Sequence, residues 1–325
     1  MKLALALSTL VLALLLASLS LGYAPLPLSA VLGGVLGNGD PLHVMVMQEI
    51  RLPRTALAAL VGAALGLSGA AMQGYLRNPL AEPGLIGVSG SAALGAVLAL
   101  QTGLSAAFAL ALPLMALLFA LGAVALILLL AGPRGGSLTL ILAGIAVSAL
   151  AGALTSLALN LSSNPYATFE IVFWMMGSVA DRSLTHLALA APLVALGGAV
   201  LLTLGRGLDA LTLGEDGAQA LGVSMTALRL KLLFGTAAAV GAATAVAGAV
   251  GFVGLVVPHL LRPLCGARPS RLLWASALGG AAMLLAADIA VRLVLPERDL
   301  KLGVVMALIG APLFLHLIYK TRRGG

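Results

Sequence analysis

The sequence predicts an all-α polytopic membrane protein with about ten transmembrane helices. Of its 325 residues, 61% are hydrophobic and only 9% are charged, a composition that soluble domains do not show. Long charge-free stretches favour helices, because a helix satisfies its own backbone hydrogen bonds in lipid. The short alternating segments of a membrane β-barrel are absent from the sequence.

Ten apolar spans follow one another along the chain. They cover residues 3–21, 53–73, 84–101, 107–130, 138–160, 186–204, 231–250, 253–261, 272–294 and 303–319. The longer spans are sufficient to cross a hydrocarbon core of ~30 Å at ~1.5 Å of rise per helical residue. The eighth span is short and holds Pro258, which predicts a broken helix. Residues 161–183 are interpreted as an external loop with a short helix at the mouth of the bundle.

The distribution of Lys and Arg predicts the orientation of these spans. With the N-terminus inside, twelve of the 18 basic residues fall in inside segments, so both termini are predicted to be cytoplasmic. The net charge of +7 is interpreted as this topology signal rather than as a nucleic-acid-binding surface. A cleaved signal peptide is the alternative for residues 3–21, because the basic start is short and small residues lie near Ala17.

The second span, residues 53–73, is predicted to lie inside the bundle. Its small residues recur at Gly62, Gly66, Gly69 and Ala70. This spacing lets two helix backbones approach closely in lipid, where hydrophobicity does not pull helices together. The span is therefore expected to face other helices of the protein.

An internal repeat, shifted by 179 residues (from position 61 to position 240), is visible in the sequence. The matched positions are Val61-Gly-Ala-Ala with Val240-Gly-Ala-Ala, Gly69-Ala70 with Gly248-Ala249, and Pro79 with Pro258. In the predicted topology the two copies run in opposite directions, as in inverted-repeat transporters. The sequence therefore predicts an inverted internal repeat.

No motif for catalysis or metal binding is present in the sequence. It contains no G-x-x-x-x-G-K-[ST], no H-E-x-x-H and no G-x-S-x-G. The four histidines, His43, His186, His259 and His316, lie on separate segments, and the single Cys265 excludes an internal disulfide. We therefore expect no catalytic site, no metal site and no cofactor.

Charged residues are nearly absent from the spans, so the chain lacks the groups with which carriers couple transport to protons or sodium. Asp288 lies within the ninth span, but Arg292 stands one turn later and predicts an ion pair near the outer end. Energy is therefore expected from a partner subunit. The alternatives are a gradient-driven secondary transporter with an inverted repeat and a membrane scaffold that transports nothing.

We name the segment Leu208–Arg229 the coupling segment, because it is the predicted docking element for that partner. It is amphipathic, and it contains two possible short helices split by Gly214 and Gly222. Its apolar positions would be left exposed in a plain solvated loop. These positions are Leu211, Leu213, Leu221 and Val223.

Motifs along nearly the whole chain carry a resemblance to one family. In chain order they are RLPR from Arg51, SGAAMQ from Ser68, NPLAEPGLIGVS from Asn78, LAG from Leu142, WMMG from Trp174, LGE from Leu213, GFVGLVVPHLLR from Gly251, ADI from Ala287 and LGVVMALIGAPLF from Leu302. Together they resemble the permeases of binding-protein-dependent ABC importers for iron–siderophore complexes, haem and cobalamin, the FecCD type.

The resemblance implies a single permease domain over residues 1–325, in the inner membrane of a bacterium. It implies a homodimer that works with two ATPase subunits and an external substrate-binding protein, surrounded by lipid. ATP-driven alternating access would then move a metal chelate. An iron–siderophore complex is expected first, then haem, then cobalamin.

The resemblance also implies three groups of site residues. Docking of the binding protein falls on Arg51, Arg54 and Arg292, which suits electrostatic steering of an acidic partner, although anchoring of a helix end is the alternative for Arg51 and Arg54. Contact with the ATPase falls on Gly214, Glu215, Gln219, Leu221 and Gly222. The cytoplasmic gate falls on Asn78, Leu80, Ser137 and Leu138.

The chain departs from the cobalamin importer at the gate. That importer has two small hydroxyl residues at the last pair of gate positions, whereas Leu138 is bulkier and apolar. Asn78 suits a narrowing because its side chain offers both a donor and an acceptor. The alternative is that Asn78 only turns the chain after the second helix, which Pro79 and Pro83 end.

Overall fold

The computed structural model describes residues 2–22, 26–108, 110–132, 136–162, 164–294 and 300–323. The α-helices are α1 Lys2–Ser20, α2 Leu28–Val35, α3 Pro41–Met45, α4 Leu52–Leu76, α5 Val88–Gln101, α6 Leu104–Ala107, α7 Ala111–Ala131, α8 Ser137–Asn160, α9 Pro165–Met175, α10 Leu184–Leu202, α11 Gly205–Leu211, α12 Glu215–Ala220, α13 Met225–Ala247, α14 Val253–Leu261, α15 Pro269–Val294 and α16 Leu302–Arg323. A π-helical turn covers Val46–Arg51, and two 3-10 turns cover Pro83–Ile86 and Pro263–Cys265. Over these ranges no β-strand occurs, which agrees with an all-α fold.

Helices occupy each of the ten predicted spans. Seven stretches of the described chain are long and apolar enough to cross a membrane. They are Lys2–Ser20, Pro41–Leu76, Ala111–Ala131, Leu138–Asn160, Leu184–Leu202, Met225–Ala247 and Pro269–Val294. A polytopic membrane protein is therefore confirmed, while the count of ten crossings and the cytoplasmic position of the termini stay predictions. Arg134 and Arg298, which contribute to the charge count, lie outside the described residues.

Helix α4 is the centre of the bundle, with α15, α13, α14 and α10 packed around it. The helix backbones meet at glycines. A methyl group added to Gly62 would overlap the carbonyl oxygen of Gly280, and one added to Gly66 would overlap that of Ser276. The prediction that this span packs against protein is confirmed.

Helix α14 is short, at nine residues, and holds Pro258 as predicted. The chain turns into it through Gly248 and Phe252, which have positive φ angles of 71° and 66°. Gly248 ends α13, whereas its predicted repeat partner Gly69 lies within α4. The two copies therefore differ locally, and the inverted repeat stays a prediction.

Two helix starts differ from the predicted ones for local reasons. Helix α5 begins at Val88 rather than residue 84, because Gly87 has a φ of +71° and separates α5 from a 3-10 turn. Helix α13 begins at Met225 rather than residue 231, because the Ser224 hydroxyl caps it by accepting from the Ala227 N–H at 3.3 Å. Residues 28–51 form short helices that the hydropathy pattern does not show.

The predicted external segment 161–183 contains the short helix α9. Its N-cap residue is Asn164, whose side-chain oxygen accepts from the Tyr166 N–H at 3.0 Å. Pro165 follows at the first helical position, where a missing N–H does no harm. The short helix is confirmed.

Candidate functional site

Three arginines and a buried aspartate meet where α1, α4 and α15 come together. We name Arg51, Arg54, Arg292 and Asp288 the arginine cluster. Oδ1 of Asp288 lies 2.9 Å from Nη2 of Arg54, and Oδ2 of Asp288 lies 2.9 Å from Nη2 of Arg292. The predicted pair of Asp288 with Arg292 is confirmed, and the pair with Arg54 adds a link between α4 and α15.

Two of these arginines also close the end of α1. Nη1 of Arg51 donates to the carbonyl oxygens of Leu19 and Ser20, at 2.7 and 2.9 Å. Nη1 of Arg292 donates to the carbonyl oxygen of Ser18 at 2.9 Å. The last carbonyls of a helix lack partners within it, and they favour a cation. Arg51 and Arg292 therefore hold α1 against α4 and α15.

These contacts limit what the arginine cluster can offer to a binding protein. Arg51 is only 6% exposed and the Arg292 side chain 7%, whereas the Arg54 side chain is 19% exposed. Direct contact with a partner is therefore open mainly to Arg54. The positive field survives in part, because three cations face one carboxylate. Docking by the cluster stays a prediction, and the structure assigns Arg51 and Arg292 structural contacts as well.

The α4–α5 loop, residues 77–87, contains the first pair of predicted gate residues. Arg77 ends α4 with a left-handed φ of 49°. The Asn78 side-chain oxygen then accepts from the Leu80 N–H at 2.9 Å, and its carbonyl accepts from the Ala81 N–H at 3.1 Å. Asn78 thus turns the chain, as in an Asx-turn, while staying exposed.

The far end of the α4–α5 loop packs on α8. A methyl group added to Gly87 would lie 3.0 Å from Cγ1 of Val147 and 3.1 Å from the backbone nitrogen of Ser148. The other predicted gate residues, Ser137 and Leu138, lie at the start of α8. At ~1.5 Å of rise per residue, this start is about 15 Å from Val147 along the helix axis. Leu138 is exposed. The gate assignment stays a prediction.

The coupling segment forms two short helices, as predicted. The turn between α11 and α12 ends at Gly214, with a φ of +95°, and α12 is followed by Gly222, with a φ of +80°. Leu213 and Leu221 flank α12 and are 70% and 64% exposed. Leu211 is instead buried in the core, because α11 packs against α4 and α15. The exposed leucines give α12 an apolar surface.

Asp209 anchors the coupling segment to the start of α15. Its carboxylate accepts from Nε of Arg268 at 2.8 Å, from the Ser270 N–H at 2.8 Å and from the Ser270 hydroxyl at 2.7 Å. Partial burial alone would raise the pKa of this carboxyl, but the hydrogen bonds from Arg268 and Ser270 and the charge of Arg268 hold the pKa below its usual value. The anchor therefore stays charged at neutral pH.

The coupling segment also touches the end of α4. A methyl group added to Gly74 would lie 3.3 Å from Cδ1 of Leu208, and one added to Gly214 would lie 3.9 Å from Nη1 of Arg77. The segment thus meets α4 at the point where the α4–α5 loop begins. Asp209 is visible in the sequence as an acidic residue of the coupling segment, but its anchoring role and these contacts are not predictable, because they join positions far apart in the chain.

No metal centre is visible in the part of the chain that the structure describes, where no three His, Cys, Asp or Glu side chains are placed to share an ion. Cys265 is buried. Nδ1 of His186 accepts from the Ser183 N–H at 3.4 Å and lies 3.0 Å from the Ser183 hydroxyl, which gives this histidine a structural contact at the start of α10. The surfaces with functional potential are therefore the arginine cluster, the α4–α5 loop and the coupling segment.

The chain is similar to transport permeases over most of its length. It is 39% identical to the Fe(3+) dicitrate transport system permease protein FecD of Escherichia coli (strain K12), over 94% of this chain and 94% of FecD. It is 38% identical to the hemin transport system permease protein HmuU of Yersinia pestis, over 95% of this chain and 94% of HmuU. It is 39% identical to the molybdate import system permease protein MolB of Haemophilus influenzae, over 88% of this chain and 84% of MolB.

A solved structure of a metal-chelate type ABC transporter, in an inward-facing conformation, has the same fold. It aligns with a TM-score of 0.87 and 37% identity, over 98% of this chain and 99% of that one. The FecCD transport family matches residues 10–320. The resemblance carried by the motifs is confirmed: this chain belongs to the FecCD transport family.

Proposed function

We propose that this chain is the transmembrane permease subunit of a binding-protein-dependent ABC importer in the bacterial inner membrane. The observation that carries the proposal is the coupling segment, an exposed apolar element fastened to the bundle core in a chain of the FecCD transport family. ATP hydrolysis takes place on two separate ATPase subunits. A second copy of the chain completes the pathway, and a substrate-binding protein delivers the cargo outside.

The ATPase contacts α12 and its flanking turns. Gln219, Leu221 and Gly222 are exposed, and Gly214 and Glu215 are half-buried at the start of the helix. Exposed leucines beside polar groups suit the apolar core and polar rim of a protein interface. The contacts with the end of α4 link this surface to the start of the α4–α5 loop, and the Asp209 anchor fastens it to the start of α15.

The cytoplasmic gate is formed by Asn78 and Leu80 of the α4–α5 loop and by Ser137 and Leu138 at the start of α8. Asn78 and Leu138 are exposed in the single subunit. Two copies of the chain would bring two such sets to one axis, as in a ring that closes a pore. The ATP-driven closure and reopening of the partner subunits then switches this ring between its open and closed states.

The cargo is a metal chelate, with an iron–siderophore complex first, then haem, then cobalamin. Relatives named for Fe(3+) dicitrate and for hemin support the first two. The relative named for molybdate adds an oxyanion to the candidates. The apolar, glycine-rich helices suit a bulky chelate, but no metal ligand or selectivity motif in the sequence identifies which one.

The test is uptake into proteoliposomes that contain this chain, its ATPase and its binding protein. Ferric siderophore, haem, cobalamin and molybdate are offered in parallel, with and without ATP. ATP-dependent uptake of one of them is expected. Uptake driven by an ion gradient without the ATPase would instead establish the secondary transporter.

A double variant in which aspartate replaces both Leu213 and Leu221 should reduce ATPase binding and ATP-dependent uptake by at least ~10-fold. The reason is that central apolar contacts dominate the binding energy of an interface. Co-purification of the ATPase measures the binding. The matched control is Leu36→Asp, an equally exposed leucine after α2. Equal ATPase binding by the double variant and the control would contradict the assigned docking surface.

The binding protein docks over the arginine cluster, chiefly through Arg54. Arg54→Gln keeps a donor for Asp288 but removes one positive charge. We expect the association rate of the binding protein to fall by ~3–10-fold at low ionic strength, and the difference to shrink in high salt. Stopped-flow fluorescence measures this rate. An unchanged rate in a variant that unfolds at the normal temperature would contradict docking at the cluster.

A further inference from the structure

Helix α14 begins with a capping group that comes from another part of the chain. Its N-cap residue is Phe252, which makes no side-chain cap of its own and has a left-handed φ of 66°. The carboxylate of Glu82, in the α4–α5 loop, accepts from the Phe252 N–H at 2.7 Å. The first N–H groups of a helix have no partner within it and favour an anion. Glu82 therefore caps a helix that follows it by 170 positions.

A second side chain fills the gap that Pro258 leaves in α14. In a regular helix the carbonyl of Gly254 accepts from residue 258, but proline has no N–H to donate. Nε2 of the buried Gln73 donates instead, at 3.3 Å to the Gly254 oxygen and 3.2 Å to the Leu255 oxygen. Nη2 of Arg262 donates to Oε1 of Gln73 at 2.7 Å and fixes the amide in this orientation.

Close packing joins α14 to the same elements. A methyl group added to Gly254 would lie 2.8 Å from Cδ of Pro83 and 2.9 Å from the carbonyl oxygen of Leu65. One added to Gly69 would overlap the Gly254 oxygen. The start of α14 thus lies in close contact with both α4 and the α4–α5 loop.

The two anchors enclose the first pair of residues assigned to the gate. Gln73 precedes Asn78 and Leu80 in the chain, and Glu82 follows them. Because both anchors bind the first turn of α14, the intervening chain is tied to that helix at each end. We propose that Gln73 and Glu82 are positioning residues of the cytoplasmic gate, which they couple to α14 so that the loop and the helix move as one unit.

This inference rests on the proposed function, because it takes the α4–α5 loop to line the gate. The loop also has space to move once it is released. A cavity of about 200 Å³ adjoins Glu82 and is lined by Ser89, Val250 and Gly251, among others. Losing the bond between Glu82 and Phe252 should therefore shift the loop rather than leave it in place.

The experiment measures access to the loop in the full chain, reconstituted in liposomes alone and with its ATPase. Leu80→Cys, in a Cys265→Ser background, serves as the reporter, and its reaction rate with a membrane-impermeant maleimide is recorded with and without a non-hydrolysable ATP analogue. Glu82→Leu should raise the rate in the chain alone by ~10-fold, which corresponds to about 1.4 kcal/mol and is of the order that one hydrogen bond contributes. It should also abolish any nucleotide dependence.

The conservative variant separates positioning from general destabilisation. Glu82→Gln keeps an oxygen that accepts from the Phe252 N–H, so its labelling rate should match that of the unmodified loop. Gln73→Leu removes the other anchor and should act like Glu82→Leu. It carries the test if Glu82→Leu does not fold, which thermal unfolding shows.

Two outcomes separate this inference from the proposed function. If Glu82→Leu and Gln73→Leu fold normally and label at the unmodified rate, the proposed coupling of the loop to α14 is contradicted. This holds whether or not the nucleotide changes the labelling rate of the unmodified loop. If both raise the rate but nucleotide changes nothing in the unmodified loop, the two anchors are supported and the ATP-driven function is contradicted.

Discussion

Replacing Gly280 with valine should destabilise the bundle by about 3 kcal/mol, the upper end of the range for overpacking. A Cβ atom added at Gly280 would overlap the carbonyl oxygen of Gly62, and this added atom would also lie 3.2 Å from Cα of Gly66. These are backbone atoms, so no change of rotamer relieves the clash. Helices α4 and α15 must separate, and the packing at the centre of the bundle is lost.

Thermal unfolding in detergent, followed by size-exclusion chromatography, measures the effect. We expect the Gly280→Val midpoint to fall by ~5–10 °C. Gly122→Val in α7 is the matched control, because nothing lies within 4 Å of a Cβ added there and the site is exposed. The control should unfold within a few degrees of the unmodified chain. Equal midpoints for the two variants would contradict the proposed contact between α4 and α15.

The helical spans are predictable because hydrophobic length is a local property of the chain. The glycine spacing in α4 likewise predicts a helix that faces protein, but it does not identify the partner. Gly62 and Gly66 meet α15 only in the folded bundle. The start of α13 is missed, because Arg229 and Lys231 interrupt the hydropathy pattern while the Ser224 cap extends the helix across them.

In the candidate sites, too, local patterns are predictable from the sequence, whereas contacts between distant residues are not. The two short helices of the coupling segment are predictable from Gly214 and Gly222, since both adopt positive φ angles that end a helix. The pair of Asp288 with Arg292 is predictable, because residues four apart share a helix face. Glu82 at the start of α14 is not predictable in this way, since no local pattern reports which distant N–H needs an acceptor.

Burial changes the interpretation of the docking arginines most. From sequence alone, RLPR beside a membrane span reads as exposed charge at the helix end. In the structure Arg51 and Arg292 donate to the end of α1, and Arg54 pairs with Asp288. The positive charge that would steer a partner is therefore also the charge that joins three helices. Variants at these positions have to be tested for folding before they are tested for docking.

Replacing Asp288 with leucine should destabilise the chain by ~3–5 kcal/mol, because removing one partner of a buried ion pair leaves the other charge uncompensated. The Asp288 side chain is 1% exposed and lies between Arg54 and Arg292. Both guanidiniums would lose their anion, and Arg292 would also be held less firmly against the end of α1. Thermal unfolding is the measurement, with Asp216→Leu, an exposed aspartate in α12, as the matched control.

A double-variant cycle isolates the link between α4 and α15. Arg54→Met alone leaves Asp288 paired with Arg292, so its cost should be smaller than that of Asp288→Leu. The combined variant Arg54→Met with Asp288→Leu removes one stranded cation and should lose ~1–3 kcal/mol less than the two single changes added together. Strict additivity would show that the 2.9 Å contact between Arg54 and Asp288 contributes no coupling energy. In that case the anchoring of α15 would rest on Arg292 and on the packing of the glycines.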